Sequence, residues 1–126
     1  MAYVDGFVIP IPKKNLDEYK KMAKIGGKMW MKHGALEYFE CVGDDLNPKM
    51  EGMKMTGFPK MTNIKSNETV IYSFIIYNSK VHRDKVNAKV MKEIEKEMAK
   101  WKDKPMPFDV KRMAYGGFKS IVELKK

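Results

Sequence analysis

Thr69–Asn78 reads TVIYSFIIYN, with Val70, Ile71, Tyr72, Phe74, Ile75, Ile76 and Tyr77 in nearly unbroken sequence. β-Branched and aromatic residues crowd both alternating faces of such a run, which is the pattern of a strand at the centre of a sheet, buried on both sides. Ser79 follows at once as the cap of a helix. At 100° per residue Arg83, Asn87, Val90, Ile94, Met98 and Trp101 share one face, flanked by Val86 and Met91. Two polar residues therefore begin an inward stripe. Pro105 and Pro107 break the chain before a last strand over about Lys111–Leu124. Gly116-Gly117 interrupts that strand, which predicts a bulge or a close backbone approach.

The same strand, helix, strand pattern occupies Ala2–Asp44. The first strand spans Ala2–Pro10, with Tyr3, Asp5, Phe7 and Ile9 on one face and Val4, Gly6 and Val8 on the other. Pro10 and Pro12 end it. Asn15 is placed to cap the helix, whose inward stripe is Leu16, Tyr19, Ala23, Gly26, Gly27 and Trp30. Two adjacent glycines weaken a helix, so their place near the buried side predicts close packing against the sheet. His33-Gly34 stops the helix, and a second strand runs from Ala35 to about Asp44. Between the two halves, residues 46–68 form a long connection rich in Gly, Pro, Lys and Met. A length unusual for a compact domain predicts a short extra strand or a flap near Met53–Phe58.

A doubled strand, helix, strand order predicts an α+β fold: a ferredoxin-like βαββαβ unit with both helices on one face of a four-stranded antiparallel sheet. The other face is left over. With about three apolar side chains per strand, each worth roughly 1.5–3 kcal/mol when buried, it rivals a domain's net stability of roughly 5–15 kcal/mol. A soluble monomer rarely exposes so much. A second copy is the simplest cover, because a two-fold axis makes a patch its own partner. The expectation is a homodimer, two sheets pairing as a dimeric α/β barrel.

Composition narrows the class. At 126 residues the chain is expected to be one domain spanning 1–126. Its single cysteine excludes an intrachain disulfide, and no secretory signal or bilayer-length apolar run is visible, so a cytoplasmic protein without membrane partners is expected. A formal charge of +9 invites a nucleic-acid reading. The distribution argues against it: Lys20, Lys24, Lys28 and Lys32, then Lys85, Lys89, Lys92, Lys96 and Lys100, are the solvent stripes of two amphipathic helices. Weak, salt-sensitive association through those lysines remains as the third functional reading. Met22, Met29, Met91 and Met98 fit apolar helix faces better than a copper site.

At this point several stretches taken together carry a resemblance: Tyr3-Val4-Asp5-Gly6-Phe7 with Pro10-Ile11-Pro12-Lys13-Lys14-Asn15-Leu16, His33-Gly34-Ala35-Leu36-Glu37-Tyr38 through Asp45, His82 to Met91, and Met106-Pro107-Phe108-Asp109 with Lys111-Arg112-Met113 and Tyr115-Gly116-Gly117-Phe118. In these the chain resembles the YbaA-like family of bacterial proteins, domain of unknown function 1428, over nearly its whole length. The resemblance implies a dimeric α/β barrel and supplies no activity. The chain departs from the family pattern most between Met50 and Asn63 and between Lys92 and Lys104.

Proteins of similar fold include cofactor-independent monooxygenases, haem-degrading enzymes, lactone isomerases and ligand-binding regulators, an analogy of fold alone. Function must come from polar groups inside an apolar interior. If the small face of Val4, Gly6 and Val8 meets the helices, Asp5 points into the barrel as a candidate general base. The structural alternative, favoured because buried charges are normally paired, ties it to Arg83, Arg112 or a tyrosine. Arg83 and Asn87, one turn apart, are placed to grip a carboxylate or carbonyl, or to anchor the helix. Trp30, Tyr38, Tyr72 and Phe74 are expected to shape a pocket between sheet and helices, with Asp5, Arg83, Asn87 and Arg112 as its polar contacts. His33 and Cys41 complete the catalytic candidates, although His33 and His82 sit at helix ends, where capping is commoner, and nothing near Cys41 favours a thiolate. No motif encodes a metal or cofactor, and none is expected. The leading expectation is a homodimer binding a small, partly apolar molecule, with cofactor-independent catalysis of monooxygenase or isomerase type as its extension. A non-catalytic dimerisation or interaction module is the alternative.

Overall fold

The structure, a computed structural model, describes residues 1–101 and 104–126, with the side chains of Met98, Ala99 and Trp101 outside the description. Strand β1 (Tyr3–Pro12) leads through a 3-10 turn into helix α1 (Leu16–Lys32), then strand β2 (Glu37–Val42). A short helix α2 (Phe58–Thr62) precedes strand β3 (Glu68–Tyr77), helix α3 (Lys80–Trp101) and strand β4 (Ala114–Lys119). The four strands form one antiparallel sheet in the order β2-β3-β1-β4. The most apolar strand, β3, thus lies inside the sheet, as its sequence requires.

Register decides which side chains meet the helices. Ile9 pairs with Ile71, Asp5 with Ile75 and Tyr3 with Tyr77, and this face carries the core. Ile9, Ile11 and Ile71 pack on Tyr19 and Ala23 of α1; Ile75 and Tyr77 pack on Val86 and Val90 of α3. The stripe of α1 is as read from sequence. On α3, Val86 and Val90 are the buried centre, Met91 is exposed rather than inward, and the expected positions of Met98 and Trp101 fall outside the described residues. The helix-facing side of β1 is therefore the Tyr3, Asp5, Phe7 face, the reverse of the condition that would aim Asp5 away from the helices.

Local chemistry explains the remaining corrections. Ser79 caps α3, its Oγ accepting from the His82 N–H at 3.1 Å. Asn15 holds the N-cap position of α1 without a capping bond, because its amide donates to the Pro107 carbonyl at 2.8 Å. Gly34, at φ 116°, ends α1 where a side chain would be strained. No strand forms over 53–58; helix α2 follows with Pro59 in its first turn and Asn63 as its left-handed cap, φ 51°. Gly116-Gly117 makes no bulge, since β4 stays in register with β1 throughout. Instead the Tyr3 ring lies over Gly117, where a Cβ would meet Cε2 at 2.8 Å.

Neither α1 nor α3 covers the second face of the sheet; at one end Pro10 and Val70 are buried and Phe58 of α2 meets the Tyr72 ring edge-on at 6.3 Å, while the rest is open. Val8 pairs there with Tyr72, Gly6 with Phe74 and Gly116, and Phe39 with Phe74, the last two rings stacked at 4.9 Å. Phe39, Tyr72 and Phe118 are substantially exposed, Phe118 at 62%.

Candidate functional site

Two polar clusters interrupt the helix-facing side of the sheet, and a third stands at its end on the alternate residues of β3. The first is built on the middle of β1. Asp5, 1% exposed, accepts from Arg83 Nη1 at 2.7 Å, and the same nitrogen donates to the Tyr115 hydroxyl at 3.0 Å. Arg83 lies in the first turn of α3, over the Tyr3 ring at 5.0 Å, and bonds Asp84 through Nε at 2.8 Å. One turn on, Asn87 Oδ1 accepts from Trp30 Nε1 at 3.1 Å and from the Tyr77 hydroxyl at 3.2 Å. Burial works against the Arg83 charge, but the Asp5 carboxylate and the bond to Asp84 outweigh it and hold its pKa above the ordinary value. Burial, with the Asp5 charge, pushes the Tyr77 and Tyr115 hydroxyls up. Asp5 is thus bonded to Arg83, one of the partners the structural reading offers it.

The second cluster lies on β2, where sequence singles out Tyr38 but not Glu40. Glu40 points to the helix side beside Tyr38, where it accepts from the Tyr19 hydroxyl and, at 3.1 Å, from Tyr38. Burial raises its carboxyl pKa, and the bonds from Tyr19, Tyr38 and Ser73 oppose that rise. Both tyrosines are pushed well above their ordinary range by burial and by this carboxylate. The signal available in sequence was the spacing Tyr38-x-Glu40, which places both side chains on one face of a strand.

The third cluster stands at the far end of β3. Glu68 receives the Arg112 guanidinium in a fork, Nη1 to Oε2 at 2.7 Å and Nη2 to Oε1 at 3.0 Å, and the Lys65 N–H at 2.8 Å. The Asn63 carbonyl, turned by its left-handed backbone, accepts from Arg112 Nη2 at 3.3 Å. The Arg112 fork and the Lys65 amide bring the Glu68 carboxyl down to about 2. Such a depressed carboxyl contributes stability that is complete above the unfolded value near 4.5 and is lost as pH falls towards 2. The stability difference between wild type and Glu68→Gln should therefore be level from pH 7 to about 5 and shrink below that. Urea titrations across this range measure it, and a difference constant down to pH 3 would contradict the assignment.

Beside this pair lies a cleft of about 470 Å³. Pro12, Met106, Pro107 and Phe108 supply apolar walls, while Asn15, Asn63, Lys65, Glu68, Asp109 and Arg112 bring polar groups. Of the residues singled out in sequence, only Arg112 reaches it. Trp30, Tyr38, Arg83, Asn87 and Asp5 lie together under the helices, whereas Tyr72 and Phe74 belong to the uncovered face, so the four aromatic residues do not line one pocket. Cys41 is exposed on that same uncovered face, in register with Tyr72. His33 Nε2, buried at the end of α1, has no hydrogen-bond partner among the described residues and lies 3.6 Å from Glu93. His82 serves as a cap, its Nδ1 accepting from the Asn78 N–H at 3.0 Å. Among the described residues no group of three or more His, Cys, Asp or Glu side chains is arranged to hold a metal, and no helix is long and apolar enough to cross a membrane.

Comparison with known proteins adds kinship without chemistry. The model of the DUF1428 family, described as protein of unknown function, matches residues 2–110. The uncharacterized protein YbaA of Escherichia coli strain K12 is 40% identical over 124 residues, covering 98% of this chain and 99% of that protein. The YbaA proteins of Escherichia coli O157:H7 and Shigella flexneri match to the same extent.

Proposed function

Because the chain belongs to the DUF1428 family, whose description assigns no activity, its function has to be argued from its own residues, and we propose a homodimeric protein that binds a small, partly apolar molecule. The observation that carries the binding half is the cleft beside Arg112 and Glu68, whose size and mixture of apolar walls and convergent polar groups suit a small ligand. Glu68 already occupies the Arg112 fork. Lys65, whose charge also acts on Glu68, is the second cation of the cleft and the one we assign to a carboxylate whose apolar body rests on Phe108 and Pro12. Small aromatic acids are the first class to try. The strand order β2-β3-β1-β4 supports a ferredoxin-like unit, and the exposed aromatic face supports its pairing into a dimeric α/β barrel in the cytoplasm.

The Asp5 cluster has a different part. Its members bond one another, which favours a polar interior that fixes the fold and argues against a catalytic base at Asp5. Binding at the cleft is tested by thermal shift with small aromatic acids, lactones and quinones. A ligand at a hundred times its Kd stabilises by about 2.7 kcal/mol, a shift of roughly 10 °C for a chain of this size. Lys65→Met should weaken an acid's binding at least tenfold and lower the ligand-free melting temperature only slightly, through its lost attraction for Glu68. If no compound shifts the wild type, or Lys65→Met binds equally well, the cleft is not the site. Light scattering at micromolar concentration tests the dimer.

A further inference from the structure

Between β2 and α2, residues 46–58 read LNPKMEGMKMTGF, which sets Met50, Met53 and Met55 within six residues. The loop closes on itself at its base: a Cβ on Gly57 would stand 3.2 Å from the Leu46 carbonyl oxygen and 3.2 Å from Asn47 Oδ1. A surface loop with its ends drawn together is a compact unit rather than a trailing strand of chain. At its tip the Met53 N–H donates to the Met50 carbonyl at 3.2 Å, in a turn that Gly52 permits at φ 73°. Such a turn brings its first and fourth Cα atoms within about 7 Å. Met55 lies two residues further on, and two residues span at most about 7 Å. Three unbranched thioether side chains therefore start from neighbouring points of one loop, each with enough rotatable bonds to turn towards a shared centre.

These side chains do not serve the core. Met22, Met29 and Met113 pack against the buried clusters, whereas Met50, Met53 and Met55 are 55%, 59% and 53% exposed. What a methionine offers where it packs on little is its sulfur, a soft and neutral donor.

The donor set selects the ion. Thioethers favour copper(I), while zinc takes cysteine and histidine, and calcium and magnesium take oxygen ligands. Residues 46–67 contain no cysteine or histidine, and Glu51 is their one carboxylate. Lys49 and Lys54 stand beside the methionines in the chain, and they repel a divalent ion more strongly than a monovalent one. We infer that Met50, Met53 and Met55 form a binding site for copper(I), three thioethers around one ion. The site uses none of the residues of the Arg112 cleft and needs no dimer.

Anaerobic titration of the intact chain with copper(I), in competition with a coloured chelator, tests the site. Cys41→Ser serves as the parent protein, so that the exposed thiol takes no part. The parent should bind one copper(I) per chain. Met53→Leu should lower the affinity at least tenfold, and leucine at all three positions at least a hundredfold. Leucine keeps the bulk and the apolar character, so the metal-free melting temperatures should match that of the parent. A thioether has no proton to lose, so the affinity, corrected for protonation of the chelator, should be equal at pH 7 and pH 5, whereas binding through His33 or His82 would weaken at the lower pH. A parent that takes up no copper(I) at micromolar concentration, a triple variant that binds as tightly as the parent, or an affinity that falls at pH 5 overturns the site.

Discussion

Arg83→Met should lower the stability of the protein by about 3–5 kcal/mol, or roughly 10–20 °C in melting temperature at fixed protein concentration. The loss comes less from the missing attraction than from what stays behind. Asp5 is sealed between the sheet and α3, and without the guanidinium its carboxylate keeps only neutral partners in Tyr77 and Tyr115. Replacing both residues tells the two contributions apart. Asp5→Leu with Arg83→Met removes the buried charge as well as its partner, and such double replacements are often neutral or stabilising. Most of the single variant's loss should therefore be recovered, and ligand affinity at the Arg112 cleft should be the same in all three proteins. A single variant within 1 kcal/mol of wild type would mean that water reaches Asp5.

Two neighbouring glycines should respond with opposite signs. A Cβ on Gly26 would make only ordinary contacts, 3.7 Å to Trp30 Cζ3 and 4.0 Å to the Tyr38 hydroxyl. Gly26→Ala should accordingly stabilise by about 0.5–1 kcal/mol, the helix-propensity difference. A Cβ on Gly27 would sit 2.7 Å from Tyr38 Cε1 and 2.8 Å from Cδ1. That ring cannot swing aside freely, because its hydroxyl is held by Glu40 and its flank by Trp30. Overpacking of this kind costs about 1–3 kcal/mol, which outweighs the propensity gain, so Gly27→Ala should be destabilising. Chemical denaturation of both variants beside wild type decides it. A stabilising shift in Gly27→Ala as well would show that Tyr38 does not press on the helix.

These predictions also mark where sequence was informative. Strand β3 and the stripe of α1 were legible because unbroken apolar runs and a 3.6-residue period are properties of the chain itself. The closeness of α1 to the sheet was legible too, through Gly26-Gly27, although only coordinates tell that Gly27 is the one against Tyr38. Asp5 and Arg83 could be named as partners because buried charges need partners. The cleft could not, since Asn15, Lys65, Asp109 and Arg112 are ordinary loop residues until the turn at Asn63 and the 3-10 turn at Val110–Arg112 bring them together. Glu40 was missed because one carboxylate among Tyr38, Phe39 and Val42 looks like a solvent residue on an edge strand.

The Asp5–Arg83 bond joins residues 78 positions apart, one on the strand that opens the chain and one on the helix that follows β3. A strand alternates its faces with every residue, so sliding β1 by a single step against β3 would expel the carboxylate onto the aromatic side and abandon a guanidinium under α3. Misaligned sheets, otherwise competitive because β1 and β3 are greasy on both sides, are thereby penalised twice. The pair works as a checksum on topology, satisfied only when both halves of the chain have been assembled in the right alignment.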